Sequence, residues 1–476
     1  MKTILMVLAG VILAGTGCKK FLDVNNDPNH PLAVAESLIL APVELTTATQ
    51  IAGGYTGMVT AYWMQQLSLN QAAPGIETYL ISDKDVDNTW SFFLYPNVFE
   101  NLKIMMAEAE AAGHYQYAAI GKTLFAFNMA IATDLWNDIP YSQALQPTAI
   151  PKPAYDKQEI IYRGIQSTLD SALYYLTLPA SEVAPSGDDL IYGGNMDAWK
   201  KFIYTLKARY YLRLTRAPGR SAIAQADSAL TVLQHGFASN GDNAAVAYSG
   251  SAQDENPWYE NTLPGAGGVV MAQSFIDSLI KRNDPRLPVL AAKGRGAVYL
   301  GRAAGAAPAS DYTVYSSVNT FYGGYLPLSI YNNTGAAAPL WLMTYSEALF
   351  IKAEAVFITA GAAAAEPVYQ AAIGSHMDLL WVSVARKTAY IATRPLLTDA
   401  NAMEQIITEK YVSGFLSLET YNDWRRTGFP KLALAQNAYV NYIPRRWPYS
   451  FTETLTNSQP EQRGVTTASR VWWDVP

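Results

Sequence analysis

The chain has almost no cysteine and little histidine. Cys18 is the single cysteine among 476 residues, and the four histidines lie far apart in the sequence. One cysteine excludes a disulfide framework and thiolate-based zinc or iron–sulfur sites. Histidines without HxH or HxxxH spacing provide no pair of metal ligands on one helix or strand. We therefore expect neither a metal site nor a cofactor built on one.

Basic charge is also scarce. The sequence has 34 Lys and Arg against 40 Asp and Glu, a net charge of −6, and no run rich in Lys or Arg. A protein that binds a phosphate backbone needs a basic surface, so we expect no nucleic-acid partner.

Motifs for common catalytic sites are missing as well. Neither a GxxxxGK[ST] nor a GxSxG sequence occurs. Asp83-x-Asp85-x-Asp87 resembles the start of a calcium loop, but Asn88 and Leu94 stand where glycine and glutamate are required. Helix capping and turn formation explain the acidic pair in Asp134–Asp138 better than catalysis does. The sequence thus predicts a protein that is not an enzyme.

Long apolar runs are confined to the N-terminus. Residues 1–17 combine Lys2 with an apolar stretch from Ile4 to Ala14, followed by small residues up to Cys18. This stretch is too short to span a bilayer and is typical of a signal peptide. Its junction with Cys18 resembles a bacterial lipobox, which predicts cleavage before Cys18 and acylation of that residue. Residues 18–35 are polar and predict a tether.

Aromatic residues, by contrast, are abundant, with 31 Tyr and 11 Trp. Their amphipathic rings suit wet binding surfaces. Apolar residues at helical spacing predict paired helices over most of the chain, with alanines at their crossings. These pairs resemble tetratricopeptide repeats of irregular period, so the predicted fold is mainly α. The predicted helices cover 98–112, 117–136, 156–176, 196–215, 221–235, 345–359, 365–385, 401–412 and 417–426.

Two regions interrupt the helical pattern. Residues 236–340 are rich in glycine and tyrosine and predict a loop-rich insertion with a few short strands, one of them at Asp311–Tyr315. Residues 67–89 form a second irregular stretch that leads into Trp90. We expect these two regions to meet on one face and form a capture surface.

Several segments carry a family resemblance. Residues 19–29 (KKFLDVNNDPN) follow the lipobox, and 118–145 contain TDLWNDIPYSQAL, close to a "TDLWGDIPYSEA" pattern except for Asn137. Further matching segments are 189–213, 345–355 (YSEALFIKAEA), 421–430 (YNDWRRTGFP) and 471–474 (VWWD). Together they resemble the SusD/RagB family of lipoproteins over nearly the whole mature chain.

The resemblance implies one SusD-like helical domain over 36–476, anchored by lipid at the outer face of the outer membrane in Bacteroidetes-like bacteria. It implies a SusC-like TonB-dependent β-barrel transporter as partner, which receives a captured glycan or peptide. A structural lid of the transporter and a surface glycoside hydrolase remain alternatives. The sequence does not distinguish the ligands.

Aromatic side chains in the irregular regions and beside them are the candidate ligand contacts. They are Trp63, Tyr79, Trp90, Trp258, Tyr259, Tyr322, Tyr325 and Tyr331. We expect Trp90 and Trp258 to be exposed rings that stack on the ligand, so that their removal would change fold stability little.

Overall fold

The computed structural model describes residues 34–146, 148–262, 268–319 and 335–475. Their helices are α1 (Glu36–Thr46), α2 (Tyr55–Trp63), α3 (Asn101–Ala112), α4 (Tyr115–Trp136), α5 (Gln158–Tyr175), α6 (Met196–Arg213), α7 (Ala222–Leu233), α8 (Pro257–Thr262), α9 (Gln273–Lys281), α10 (Leu287–Leu290), α11 (Tyr345–Ala360), α12 (Ala362–Leu379), α13 (Val384–Ala392), α14 (Ala402–Ser413), α15 (Glu419–Thr427) and α16 (Phe451–Thr456). Two π-helical segments, Thr47–Ala52 and Thr89–Glu100, follow α1 and precede α3. The predicted, mainly α fold is confirmed.

Helix pairs build the scaffold. α4 packs along α5, α6 along α7, and α11 along α12. Ala126 and Ala130 of α4 are buried, as the alanine pattern predicted. A methyl group at a crossing lets a neighbouring helix approach closely, and the burial of apolar side chains then stabilises the pair.

Local signals in the sequence set several helix ends. Gly113 has a φ of 77°, and its N–H donates to carbonyl groups in the last turn of α3, which ends the helix as its position predicted. At the other end of a helix, the Thr344 hydroxyl accepts a hydrogen bond from Glu347 N–H and caps α11. One predicted helix was wrong: the expected span 365–385 is divided into α12 and α13, because Trp381 adopts a φ of 56° between them.

The described residues form three two-stranded antiparallel sheets, two of which join distant parts of the chain. Leu67–Leu69 (β1) pairs with Val269–Met271 (β5), Ile139–Pro140 (β2) with Tyr155–Asp156 (β3), and Ala244–Val246 (β4) with Leu340–Met343 (β6). Short strands within 236–340 were expected, and β4 and β5 are present there.

The strand predicted at Asp311–Tyr315 is wrong. Residues Tyr312–Val314 form a 3₁₀ turn, because the Asp311 carboxylate accepts a hydrogen bond from Thr313 N–H and bends the chain. The same insertion contains the helices α8, α9 and α10, which were not predicted. The longest of these has nine residues, which leaves few turns for a helical period to show.

The two irregular regions are in contact, as expected, whereas their expected role as a capture surface stays a prediction. Beyond the pairing of β1 with β5, the Asn70 side chain exchanges two hydrogen bonds with the backbone of Ala309, at 2.9 and 2.8 Å. Arg302 is completely buried and donates to Ser68 Oγ at 2.8 Å and Glu77 Oε2 at 3.0 Å. These contacts fasten the insertion to the start of the chain's helical body.

The N-terminal predictions lie outside the described residues. Cys18, the signal peptide and most of the tether precede residue 34, where the description begins. Within the described ranges, no helix combines the length and the apolar character needed to cross a membrane.

Candidate functional site

A cavity lies where the insertion meets the helical scaffold. It encloses about 1020 Å³ not filled by protein atoms, part of which is open to solvent. Its walls come from the start of α8, strand β6, the end of α12 and the segment between α14 and α15, with Phe127 and Ile131 contributed by α4. The cavity is therefore a product of tertiary structure, because its wall segments are far apart in the sequence.

Trp258 forms one wall and is positioned by glycines. A Cβ atom on Gly57 would lie 3.0 Å from Cζ2 of the Trp258 ring, and one on Gly53 would lie 2.5 Å from Cγ of Pro257. The small residues at these two positions therefore let α8 pack directly on the chain around α2. Trp258 is only 6% exposed, and its backbone N–H donates to Asn256 Oδ1 at 2.8 Å.

Charged side chains also line the cavity. Arg209 Nη2 lies 2.7 Å from Glu347 Oε2, and Lys410 Nζ lies 2.8 Å from Asp423 Oδ2. Glu419 also lines the cavity and pairs with Arg213, which is not part of the lining. Buried charges are tolerated when they are paired and hydrogen-bonded, so these contacts hold the charged side chains of the lining in one arrangement.

The cations keep two of these carboxylates ionised. Burial alone would raise the pKa of Asp423, but Lys410 and Arg426 outweigh it and lower that pKa to about 2. For Glu419, burial is likewise outweighed by Arg213 and Arg209, and the pKa is lowered. A general acid needs a raised pKa, so these two groups suit the fixing of a surface better than proton transfer.

His376 brings no positive charge to the cavity wall. Burial and the neighbouring Arg286 guanidinium lower the pKa of His376 to about 3. Its Nδ1 lies 3.3 Å from Arg286 Nη1. The imidazole is therefore neutral at physiological pH.

The predicted ligand residue Trp63 belongs to the core. It is completely buried, and its Nε1 donates to the Ile76 carbonyl at 3.0 Å. Tyr79 is 2% exposed, and its hydroxyl accepts a hydrogen bond from Ala435 N–H at 2.9 Å. Both side chains join segments of the fold.

Trp90 is packed inside an aromatic cluster. Its ring centroid lies 5.1 Å from that of Trp136 and 4.9 Å from that of Tyr95, with Tyr155 and Tyr449 also in contact. Trp90 is 3% exposed and borders a shallow groove whose lining shares no residue with the cavity.

The expected exposure of Trp90 and Trp258 is therefore wrong. Contacts from distant segments cover both rings, so removing either one would leave an internal void, and we expect a substantial loss of stability. Of the remaining candidates, Tyr259 is half-buried beside Trp258, while Tyr322, Tyr325 and Tyr331 lie outside the described residues. Ligand contact by the eight side chains stays a prediction.

Trp341 was not among the predicted ligand contacts. It lies in β6 with its side chain half-buried, between the buried residues Leu340 and Leu342, and it lines the cavity together with Trp258. The sequence of β6, Leu-Trp-Leu-Met, shows no alternation of polar and apolar residues that could have identified it, and all four of these residues line the cavity. The strand has only four residues, which is too short for a pattern to stand out, and the structure does not describe residues 320–334.

No metal site accompanies the cavity in the described ranges. No group of three or more His, Cys, Asp or Glu side chains there is placed to hold an ion. Asp87, from the acidic segment that resembled a calcium loop, accepts hydrogen bonds from Thr452 N–H at 2.9 Å and from the Ser91 hydroxyl at 3.2 Å.

Solved structures share this fold. A chitin-binding protein superimposes with a TM-score of 0.77 at 23% identity, covering 93% of this chain and all of that one. A SusD/RagB family protein from Bacteroides thetaiotaomicron gives 0.75 at 23% identity, covering 93% of this chain and 99% of that one. A SusD homologue from Bacteroides fragilis gives 0.76 at 20% identity, covering 92% and 100%.

A family comparison extends the likeness to the sequence. No curated protein sequence matches the chain. Residues 28–450, however, match the SusD-like family, described as starch-binding and associating with the outer membrane. With most of its length inside that match and the same fold as solved SusD homologues, the chain belongs to the SusD-like family.

Proposed function

We propose that this protein is a cell-surface lipoprotein that captures a glycan and delivers it to a SusC-like TonB-dependent transporter. The observation that carries the proposal is the cavity whose lining combines the rings of Trp258 and Trp341 with paired charged side chains. Aromatic faces pack on the apolar C–H faces of sugar rings, and polar groups around them bind hydroxyl groups.

Two further observations support capture without turnover. The family description is of starch binding at the outer membrane, and one similar structure is a chitin-binding protein. In addition, Asp423 and Glu419 in the cavity have lowered pKa values next to cations, which does not suit a glycosidic general acid. Burial raises the pKa of the third carboxyl group of the cavity, Glu347, but Arg209 donates hydrogen bonds to both of its oxygens. We therefore propose that the protein is not an enzyme.

The ligand can be identified by calorimetry on the mature chain. Soluble starch, chitin oligosaccharides, mannan and a mixed peptide pool form the panel, and chromatography of each incubated glycan tests for cleavage. We expect binding to a glycan without product. Binding to peptides alone would replace the ligand class, product formation would indicate a hydrolase, and no binding at all would favour a structural lid.

The cavity is tested with Trp341→Ala. Its ring is half-buried, so its loss should weaken glycan binding about tenfold or more and leave a folded protein. Trp341→Phe should restore much of the affinity. Tyr174→Ala is the matched control, because Tyr174 is 61% exposed and does not line the cavity. Normal binding by Trp341→Ala would place the ligand elsewhere.

The lipid anchor is tested at Cys18. We expect Cys18→Ala to release the protein from the membrane fraction, because without acylation the mature chain lacks the buried methylene groups that hold it there. Sodium carbonate washing followed by immunoblotting measures retention. Full retention of Cys18→Ala, with the wild-type and variant proteins expressed equally, would contradict the anchor.

A further inference from the structure

Trp381 is the exception among the tryptophans. All eleven lie in described parts of the chain, and Trp381 is the one whose side chain is exposed, at 56%. Its neighbours Leu380 and Val382 are buried. The exposure therefore belongs to this single ring and not to a frayed segment.

The backbone at Trp381 is held in a conformation that favours glycine. Its φ is 56°, in the left-handed region. Val382 N–H donates to the Met377 carbonyl and Trp381 N–H to the Asp378 carbonyl, at 2.9 and 3.1 Å, which together make a Schellman motif at the end of α12. A tryptophan here combines backbone strain with an exposed apolar ring, and neither stabilises the fold.

The turn that carries Trp381 belongs to the cavity wall. His376, Leu379 and Leu380, within the last turn before it, all line the cavity. The ring thus follows directly on a wall of the site assigned above to glycan capture.

Polar side chains that suit a sugar lie close to Trp381 in the sequence. Asp378 and Lys387 form an ion pair whose side chains are 52% and 20% exposed, within six residues of Trp381 on either side. A carboxylate accepts and an ammonium donates hydrogen bonds, so the pair can bind the hydroxyl groups of a sugar.

The apolar surface is small. Within three residues of Trp381, the other exposed large apolar side chain is Val384. One ring and one isopropyl group match the face of a single sugar residue, whereas a stable protein interface requires about 800 Å² from each partner. The occupant that fits is therefore a sugar ring.

We propose that Trp381 is a binding residue outside the cavity lining that stacks on a sugar unit of the captured glycan and extends the site along the chain of sugars. This inference rests on the proposed function. It adds a position that neither irregular region of the sequence contains.

The experiment uses Trp381→Gly in the mature chain. Glycine removes the ring and adopts the left-handed backbone without strain, so a melting temperature equal to or above that of the wild type is expected. Calorimetry with the starch and chitin oligosaccharides that the wild type binds should show affinity weakened about tenfold or more, with a larger loss for longer oligomers. Trp381→Phe should remain within about threefold of the wild type, and Tyr174→Ala should bind normally.

Each outcome decides the matter. Wild-type affinity in Trp381→Gly, for short and long oligomers alike, overturns the inference while the proposed function stands. Unchanged glycan affinity with lost co-purification of a β-barrel transporter also overturns it and makes the ring a protein contact. A melting temperature well below the wild type makes the ring structural. If the wild type binds no glycan, the proposed function fails, and this inference fails with it.

Discussion

Buried carboxylates in two regions of this protein behave in opposite ways. In the cavity lining, Asp423 lies 2.8 Å from Lys410 Nζ and 3.0 Å from Arg426 Nη2, and its pKa is lowered to about 2. Between α1 and the loop before α6, Glu44 is also completely buried, but its neighbour is the carboxylate of Asp189. Burial, followed by the charge of Asp189, raises the pKa of Glu44 to about 10.

The difference teaches that cationic partners can outweigh burial, as they do at Asp423, whereas at Glu44 burial and a neighbouring carboxylate raise the pKa together. Glu44 Oε2 accepts a hydrogen bond from Leu190 N–H at 2.6 Å, while Asp189 accepts from Trp199 Nε1 at 2.7 Å. Donors of this kind fasten the loop, but they supply no full positive charge. Glu44 therefore keeps its proton where Asp423 loses it.

The largest expected change in the free energy of unfolding comes from breaking the pair of Asp423 and Lys410 in the cavity lining. Asp423→Asn leaves Lys410 without its counter-ion, and removing one partner of a buried pair costs about 3–5 kcal/mol. Urea denaturation at pH 7 measures the change in the free energy of unfolding. Asp378→Asn is the control, because it breaks an exposed pair with Lys387 and should cost less than about 1 kcal/mol. Equal losses for the two variants would refute the contrast.

Glu44→Gln should change the free energy of unfolding in the opposite direction and stabilise the protein. A folded pKa raised from 4.5 to about 10 means that wild-type stability is fully present below pH 4.5 and is lost as the pH rises toward 10. Glutamine stays neutral, so the variant should be more stable than the wild type by up to about 3 kcal/mol at pH 7 and equally stable at pH 4. Denaturation curves between pH 4 and pH 7 measure the free energy of unfolding of both proteins. If this free energy changed with pH in the same way for both, Glu44 would be ionised in the fold.

The smallest change in the free energy of unfolding should come from Asp188→Asn. The charge of Asp188 is the last of the causes that raise the pKa of Glu44, and its carboxylate accepts a hydrogen bond from Tyr117 at 2.8 Å. We expect the free energy of unfolding at pH 7 to change by less than about 1 kcal/mol. Tyr117→Phe removes the same hydrogen bond and keeps the charge, so the two variants separate its contribution from the charge effect. A change as large as that in Glu44→Gln would make Asp188 the dominant neighbour.

Much of the helical scaffold could be predicted because its signals are local. Gly113 ends α3, and the spacing in 345–359 and 401–412 marks α11 and α14 to within about one residue. The division between α12 and α13 was missed, since a Trp in a left-handed conformation is not a stop signal that a sequence shows.

The acidic pair in Asp134–Asp138 shows where local interpretation ends. Asp138 accepts a hydrogen bond from Gln158 N–H at 3.0 Å, at the start of α5 and not at the end of α4 that it follows in the sequence. Asp134 was also expected to cap a helix end, but it pairs with Arg213 and accepts hydrogen bonds from Tyr162 and Trp473 in the core. The capping interpretation of Asp134 was wrong, because its partners come from three distant segments.

The sequence by itself determined the class of fold, the family and the abundance of aromatic rings. Helical spacing and family motifs depend on residues that are close together in the sequence, so they can be recognised without the structure. Only the tertiary structure decided which rings are covered. Tyr449 packs on Trp90 from more than three hundred residues away, while Trp381 stays exposed at the end of a well-formed helix. Burial is a property of what packs against a side chain, and those neighbours are brought together only when the whole chain folds.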